Sequence, residues 1–338
     1  MVEREDVWRA VGCSRSSALV GNHFEKLPDD IVVSILTSLS SSANNPADLA
    51  GAILSHRRFM HLAQSQVVLR NASLRCLAVR AKNWSEAADR FLQRCADAGN
   101  IDAAYILGMI RFYCVRSRRT GASLMVSAAK GGHIEALFSL AVIQFNGSGA
   151  RKQDRDLALG AGLCARAARL GHAHATRELG HCLLDGYGVT SSPLNGRLLL
   201  DRAKQQDIEN YKQASNGCFP TKIHQANMFL SEWFSQGTLA ADAPHGRSIS
   251  PLQDVIADGA VRLCSNSFCG RQETRMHEFR RCSACASVNY CSRACQFVHW
   301  KMSHRSSCTP RNDVINEANQ PHLPVGQPEG DGVQGHGQ

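Results

Sequence analysis

The sequence has no apolar stretch long enough to cross a membrane and no export signal at its beginning. No 18-residue apolar run occurs, and the first residues lack the basic segment followed by an apolar segment that secretion requires. We therefore expect an intracellular protein, in the nucleus or the cytoplasm, that does not contact a membrane.

Acidic residues are also in the minority. The 29 Asp and Glu residues are outnumbered by 38 Lys and Arg residues, which gives a formal net charge of +9. This balance permits acidic partners, including nucleic acid, but does not select one. The 338 residues are enough for two or three small domains, each with a core of its own.

The 14 cysteines form two sets, one dense and one scattered. Scattered cysteines in a reducing compartment usually behave as small buried apolar residues, whereas a dense set with paired spacing usually binds metal. A disulfide scaffold is the alternative for the dense set, and the missing export signal argues against it. The scattered cysteines are Cys13, Cys76, Cys95, Cys114, Cys164, Cys182 and Cys218.

Residues 27–70 have the pattern of three short helices. Leu27-Pro28 and two following aspartates favour a helix start, and apolar residues then recur with helical spacing. A polar loop at 40–45 ends this first helix. Because so few short helices make a poor independent core, we expect a docking unit.

The same segment resembles an F-box, the helical motif that binds the Skp adaptor of cullin-based ubiquitin ligases. An amphipathic helical hairpin that caps the next domain is the alternative interpretation. The adaptor contacts that the resemblance implies are Leu27, Pro28, Ile31, Ile35 and Leu36.

An internal repeat occupies residues 84–205. The related peptides GNIDA, GHIEA and GHAHA begin at Gly99, Gly132 and Gly171, and each glycine is followed eight residues later by a leucine and a small residue. Small residues let paired helices approach closely, and stacked pairs bury a continuous core and leave a concave surface. Residues 84–98 are expected to be the second helix of an incomplete leading repeat.

This pattern resembles the Sel-type repeats of the tetratricopeptide-like superfamily, which implies an α/α solenoid. His133 and His172 recur at equivalent positions of the repeat. We interpret them as turn or surface residues rather than metal ligands.

Residues 206–260 have the composition of a connector. One helical patch, His224 to Phe234, is expected to pack against the end of the repeat array. The Gly, Ala, Ser and Pro content of 235–251 suggests a flexible linker, so the segment beyond it is expected to fold apart from the repeats. Residues 1–26 form an N-terminal extension, and residues 309–338 are expected to be a disordered tail.

The dense cysteines form four ligand pairs together with one histidine. Eight such ligands are the number that two tetrahedral zinc ions consume. Because eight protein ligands leave no position for water, we interpret both zinc ions as structural and predict no catalytic residue. The pairs are Cys264 with Cys269, Cys282 with Cys285, Cys291 with Cys295, and His304 with Cys308.

This segment, residues 264–308, resembles the MYND-type zinc finger. The resemblance rests on Phe279-Arg-Arg-Cys282, Tyr290-Cys291-Ser292, Cys295-Gln296 followed by Trp300, and the closing His304 with Cys308. It implies that Cys264, Cys269, Cys291 and Cys295 hold one zinc ion and Cys282, Cys285, His304 and Cys308 the other.

The sequence departs from the MYND pattern in two places. The first pair is C-x4-C instead of C-x2-C, and three residues instead of two separate Trp300 from His304. The second departure makes His299 an alternative ligand to His304.

Residues at the positions of Gln296 and Trp300 help line a shallow groove for proline-containing peptides in MYND fingers. Packing of Trp300 against its own finger alone is the other interpretation. The basic residues near Arg280 and Arg281 leave nucleic acid as an alternative partner, although we expect a protein.

Together the segments resemble plant-type proteins that join an F-box, Sel-like repeats and a C-terminal MYND finger in this order. The expected fold is mainly α: short F-box helices, an α/α repeat solenoid and a small two-zinc finger. The implied function is that of a non-catalytic substrate-recognition subunit of a Skp-cullin-F-box ubiquitin ligase. The alternatives are a zinc-finger scaffold or transcriptional corepressor without a ligase role, and a protein methyltransferase, for which a Gly-rich cofactor loop is lacking.

Overall fold

The computed structural model describes residues 26–213, 223–239 and 262–310. These residues are mainly helical, as the sequence predicts, with one two-stranded sheet near the C-terminal end. Within the described ranges, no helix is both long and apolar enough to span a membrane. Nearly all of the predicted N-terminal extension and disordered tail, and more than half of the predicted connector, lie outside these ranges.

Four short helices form the N-terminal unit: α1 (Asp29–Ser42), α2 (Pro46–Ser55), α3 (Arg57–Leu62) and α4 (Gln66–Arg70). Asn45 caps α2 by accepting the backbone N–H of Ala47. The Ser40 hydroxyl donates to the carbonyl oxygen of Val68 at 3.1 Å, so a buried hydrogen bond joins α1 to α4.

The repeat array follows as α5 (Glu86–Asp97), α6 (Ile101–Tyr113), α7 (Arg118–Lys130), α8 (Ile134–Asn146), α9 (Leu157–Arg169), α10 (Ala173–Asp185) and α11 (Pro193–Gln213). Helix α6 packs on α7, α8 on α9, and α10 on α11, with α5 packed on α6 at the beginning. This pairing is the solenoid arrangement that the repeat predicts.

Glycines allow the paired helices to approach closely. A Cβ atom on Gly121 would lie 2.7 Å from the carbonyl oxygen of Gly108, and a Cβ atom on Gly196 would lie 2.8 Å from that of Gly180. Only a hydrogen atom fits between the two backbones at these crossings. Gly108 and Gly180 are two of the small residues that the repeat pattern singles out.

Helices α6, α8 and α10 start at the same kind of turn. Gly99, Gly132 and Gly171 have φ angles of +90°, +91° and +89°, and the residue after each glycine caps the helix by accepting a backbone N–H. Two of these caps are His133 and His172, and both side chains are only 7% exposed. They are turn residues, as the first of the two predicted interpretations has it, but they are not surface residues, because the capping atom has to reach a buried amide.

Helix α12 (Gln225–Leu239) contains the predicted helical patch. It packs on α6 and on the 3-10 turn at Ala81–Asn83, at the beginning of the array. Phe229 meets Trp84 edge to face, with ring centroids 5.3 Å apart. Helix α12 therefore packs mainly at the beginning of the array, although the last repeat helices precede it in sequence.

The C-terminal finger contains β1 (Arg280–Arg281), β2 (Asn289–Tyr290), α13 (Arg293–His299), a π-helical turn (Trp300–His304) and a last helical turn (Arg305–Ser307). One apolar core runs from the N-terminal unit through the repeats into this finger. The finger therefore does not stand apart from the repeats, contrary to the prediction from the linker composition. We call α6, α8 and α10 the inner helices, because α12 and the finger contact them.

Candidate metal centre

The eight predicted zinc ligands lie in two groups of four. Within each group the donor atoms all lie within 4.8 Å of one another. The first group is Cys264, Cys269, Cys291 and Cys295, and the second is Cys282, Cys285, His304 and Cys308. These are the interleaved sets that the MYND resemblance implies.

The spacing in both groups fits a tetrahedral zinc ion. Sulfur atoms bound about 2.3 Å from a common zinc ion at tetrahedral angles are about 3.8 Å apart. The Sγ atom of Cys291 lies 3.5 Å from those of Cys269 and Cys295, and the Sγ atoms of Cys282 and Cys308 are 4.0 Å apart. Because thiolate and imidazole are ligands that zinc prefers, each group could hold one zinc ion.

His304 belongs to the second group, whereas His299 does not. The Nε2 atom of His304 lies 3.4 Å from the Sγ atom of Cys285. The Nδ1 atom of His299 lies 2.9 Å from the hydroxyl of Tyr290 instead. The extra residue after Trp300 is accommodated by the π-helical turn, since a π turn absorbs one additional residue and keeps the helix continuous.

Arg271 connects the first group to the inner helices. Arg271 is only 3% exposed. Its guanidinium donates to the Cys269 sulfur at 3.4 Å and to the Ser139 hydroxyl of α8 at 2.8 Å. The Ser139 oxygen lies 3.0 Å from the hydroxyl of Tyr105 in α6. A zinc ion with four thiolates carries a net negative charge, so the buried guanidinium would offset part of it.

A second set of contacts joins the finger to the loop after α8. The Arg275 guanidinium donates to the carbonyl oxygens of Gly147 at 2.6 Å and of Ala150 at 3.1 Å. The Asn146 side chain donates to the carbonyl oxygen of Cys291 at 2.9 Å. Side chains of the finger thus satisfy backbone carbonyl groups of the array, and a side chain of the array satisfies a backbone carbonyl group of the finger.

Helix α13 docks on α10 through charge and aromatic contacts. Arg293 pairs with Asp185 at 2.5 Å, and the Arg177 guanidinium lies 3.9 Å from the ring centre of Phe297. Glu178, also on α10, is buried near the backbone of Arg293 and Ala294 at the start of α13. Burial raises the pKa of this carboxyl group, and the amides and nearby arginines lower it.

This docking uses much of the positive charge that made nucleic acid a possible partner. Arg271, Arg275 and Arg293 all point to the repeat array. The basic residues that remain exposed on the finger include Arg280 and Arg281. Lys301 and Arg305 are exposed as well, so four of the eight basic residues of the finger stay available to an acidic partner.

Gln296 and Trp300 lie one helical turn apart at the end of α13. Trp300 is 39% exposed, and its ring meets that of His304 nearly at right angles, with centroids 5.7 Å apart. Gln296 is half-buried. The tryptophan thus has an exposed face, which a peptide could contact, and it also packs against His304 of its own finger. Peptide binding and packing within the finger therefore both remain open as its role.

The N-terminal unit separates the predicted adaptor contacts into two sets. Ile31 and Ile35, one turn apart on α1, are 45% and 43% exposed, Pro28 is exposed and Leu27 is half-buried. Leu36 is 1% exposed and lies in the core. Its predicted adaptor contact is corrected for this reason, because a partner could not reach the side chain.

In a third group, the donor atoms lie close enough together for a metal ion, but their protonation does not suit metal binding. Asp102, His133 and His224 have donor atoms within 4.8 Å of one another. The Nδ1 atoms of His133 and His224 each accept a backbone N–H, from Ala136 and Ala226. A neutral imidazole that accepts at Nδ1 carries its proton on Nε2, where a metal would have to bind. We therefore interpret the contact of His133 with Asp102, at 3.2 Å, as a hydrogen bond.

The chain is similar to several known proteins. The family model of plant tetratrico peptide repeats matches residues 76–163, and that of the MYND finger matches residues 264–308. F-box protein At5g50450 of Arabidopsis thaliana is 46% identical over 306 residues, which cover 86% of this chain and 86% of the relative. F-box protein At1g67340 of the same plant is 45% identical over 326 residues, which cover 87% and 82%. The crystal structure of a Sel1 repeat protein from Oxalobacter formigenes aligns with a TM-score of 0.32 at 24% identity, over 36% of this chain and 91% of that chain.

Proposed function

This chain belongs to the F-box protein family of its two Arabidopsis relatives, and on that premise we propose that it is the substrate-recognition subunit of a Skp-cullin-F-box ubiquitin ligase. Family membership and the MYND finger make it a protein-interaction adaptor. In the proposed complex the N-terminal unit binds the Skp adaptor, and the repeats and finger bind the protein to be ubiquitinated. None of its residues takes part in bond chemistry in this role.

The exposed pair on α1 is the observation that carries the proposal. Ile31 and Ile35 present apolar side chains to solvent on the same helical face, although the unit has a core close by. Exposed apolar residues of this kind mark an interaction site more often when they lie together. We assign the adaptor surface to these two residues with Leu27 and Pro28.

The zinc ions have a structural role in the proposal. The first group would hold one ion through four cysteines, and the second would hold the other through three cysteines and His304. Bound zinc supplies crosslinks, and thereby folding free energy, that a segment of this size lacks. The finger so held would present Trp300 as an aromatic wall and Gln296 as a hydrogen-bonding side chain for a proline-containing segment of the substrate.

Adaptor binding by a double variant tests the ligase role. Ile31→Asp with Ile35→Asp should abolish retention of the Skp adaptor in a pull-down with the full chain, because the two carboxylates would have to be desolvated at the interface. Both positions are exposed in the free protein, so the fold should survive. The matched control is Leu194→Asp with Leu198→Asp on α11, which has the same spacing and exposures of 72% and 59%.

Retention of the adaptor by the α1 variant would refute the proposed surface. Absence of the adaptor from pull-downs with the unaltered chain would refute the ligase role itself. Circular dichroism spectra of both double variants should match that of the unaltered protein, which shows that lost binding does not come from unfolding.

A further inference from the structure

The inner helices do not form an open groove, because α12 and the finger cover them. A cavity of about 260 Å³ remains between the three parts. Pockets for whole small molecules usually measure about 300–1,000 Å³, so this one has the size for a single side chain. The predicted concave binding surface is thus reduced to a small polar cavity.

Two buried atoms in the cavity wall have no hydrogen-bond partner in the protein. They are the side-chain oxygen of Asn227 on α12 and the Nδ1 atom of His174 on α10. A buried polar atom without a partner costs free energy, and native proteins contain few of them. Both atoms have almost no accessible surface, so each can accept a hydrogen bond from a bound group only after its side chain turns towards the cavity.

Glu135 on α8 brings a negative charge to the same cavity. Its side chain is 37% exposed, and one oxygen accepts from the Nε2 atom of His172 at 3.2 Å. Burial raises the pKa of Glu135, but the hydrogen bond and charge of His172 bring it down to about 2. Cys269, Cys295 and Arg271 also line the cavity. A zinc ion with four thiolates is net negative, and the Arg271 guanidinium offsets only part of that charge.

We propose that this cavity binds a basic side chain, lysine ammonium or arginine guanidinium, of a partner protein. Glu135 pairs with the cation, while Asn227 and His174 accept its hydrogen bonds. Phe138 and Phe268 line the cavity too, and aromatic faces attract cations. Identifying that partner with the ubiquitination substrate rests on the proposed function, whereas the binding chemistry does not.

Peptide titrations of the zinc-loaded full chain test the proposal. The probes are N-acetyl, C-amide Gly-Lys-Gly, Gly-Arg-Gly, Gly-norleucine-Gly and Gly-Glu-Gly, added at millimolar concentrations and followed through the imidazole NMR signals of His174 and His224. The lysine or arginine peptide should shift these signals saturably, and the norleucine and glutamate peptides should not. Equal binding of norleucine, preferred binding of glutamate, or no binding of any peptide would overturn the proposal.

Two variants connect the binding to the cavity. Glu135→Gln should weaken the basic peptide about tenfold or more, because it removes the charge but keeps the acceptor for His172. Glu86→Gln, at a side chain 85% exposed on α5, is the control and should leave binding unchanged. Asn227→Leu should weaken binding while thermal stability stays equal or rises, since an unpartnered amide is replaced by an apolar group. Lower stability with unchanged binding would show that Asn227 is structural and would overturn its role.

The adaptor assay separates this inference from the proposed function. The α1 double variant should still bind the lysine peptide, and Glu135→Gln should still retain the adaptor. Retention of the adaptor without peptide binding would defeat the cavity proposal alone. Peptide binding without adaptor retention would defeat the ligase proposal alone.

Discussion

The Nη2 atom of Arg271 lies 2.8 Å from the Ser139 hydroxyl oxygen, and this contact joins the finger to the middle inner helix. The same guanidinium also donates to the sulfur of Cys269. We therefore expect a change at the first zinc group to affect α8.

Removal of this guanidinium should affect both parts of the protein. We expect Arg271→Ala to lower zinc affinity about 10- to 100-fold, as loss of an outer hydrogen bond to a metal ligand commonly does. Backbone amides of α8 should also exchange faster with deuterium. Arg281→Ala is the control, because Arg281 is exposed and its guanidinium lies 3.1 Å from the Nδ1 atom of the exposed His277, away from both ligand groups and from α8. Equal zinc affinity and exchange in the two variants would contradict the coupling.

The helix crossing of α6 and α7 can be tested with glycine substitutions. Gly121→Ala should destabilise the protein by about 1–3 kcal/mol, because the new Cβ atom would meet the backbone of α6. Gly162→Ala, inside α9 with nothing within 4 Å of its Cβ position, should stabilise it by about 0.5–1 kcal/mol. Urea unfolding measures the free energy of unfolding of both variants. A change of the same sign in both would contradict the close approach of α6 and α7 at Gly121.

Trp300 should separate peptide binding from folding of the finger. Trp300→Ala should weaken the finger's binding to a proline-containing peptide by about 2 kcal/mol or more, as truncated aromatic anchors do. Zinc content measured by mass spectrometry should not change. Met302→Ala, at a residue with the same 39% exposure, should leave peptide binding intact. Release of zinc from the Trp300 variant would make the tryptophan a core residue and exclude the groove.

Two buried imidazoles should make stability depend on pH. Burial lowers the pKa of His174 and His224 from 6.5 to about 4, since the charged rings would lose hydration. In the unfolded chain they take up protons as pH falls through 6.5, whereas in the folded chain they do so only near 4, so stability is lost over this window. His174→Gln with His224→Asn should flatten the slope between pH 6.5 and 5 in urea unfolding with excess zinc.

The exposed His61 supplies the control for this experiment. His61→Gln should have the slope of the unaltered protein, because its ring is not buried. Zinc loss at low pH affects all three proteins alike and cancels in the comparison. An unchanged slope in the double variant would contradict the assignment.

Much of the finger and the array could be predicted because their signals are local. Ligand pairs a few residues apart, and glycine peptides at a regular interval, specify short-range geometry that the chain cannot avoid. The prediction that scattered cysteines are buried is confirmed for the five that the structure describes, each of which is at most 3% exposed. These five are Cys76, Cys95, Cys114, Cys164 and Cys182. Cys13 and Cys218 lie outside the described residues.

Long-range contacts could not be predicted in the same way. Arg271 and Ser139 are 132 residues apart, and the composition of the linker between them carries no information on their contact. His133 follows a turn glycine, but its burial depends on a distant element, because its ring lies beside His224 of the α12 segment. On α1, helical periodicity defines a wide apolar face but does not say that Leu36 turns inward while Ile35 turns outward.

The position of the finger also bears on how the protein matures on the ribosome. Residues 262–310 leave the ribosome after the inner helices that they cover, so α6 and α8 emerge with apolar and polar groups still lacking their final neighbours. Arg271 can reach Ser139 only after the finger has been made, and we expect the finger to need zinc in order to fold. A shortage of zinc would then leave the repeats open to chaperones and proteases, and the amount of this protein would follow the metal supply of the cell.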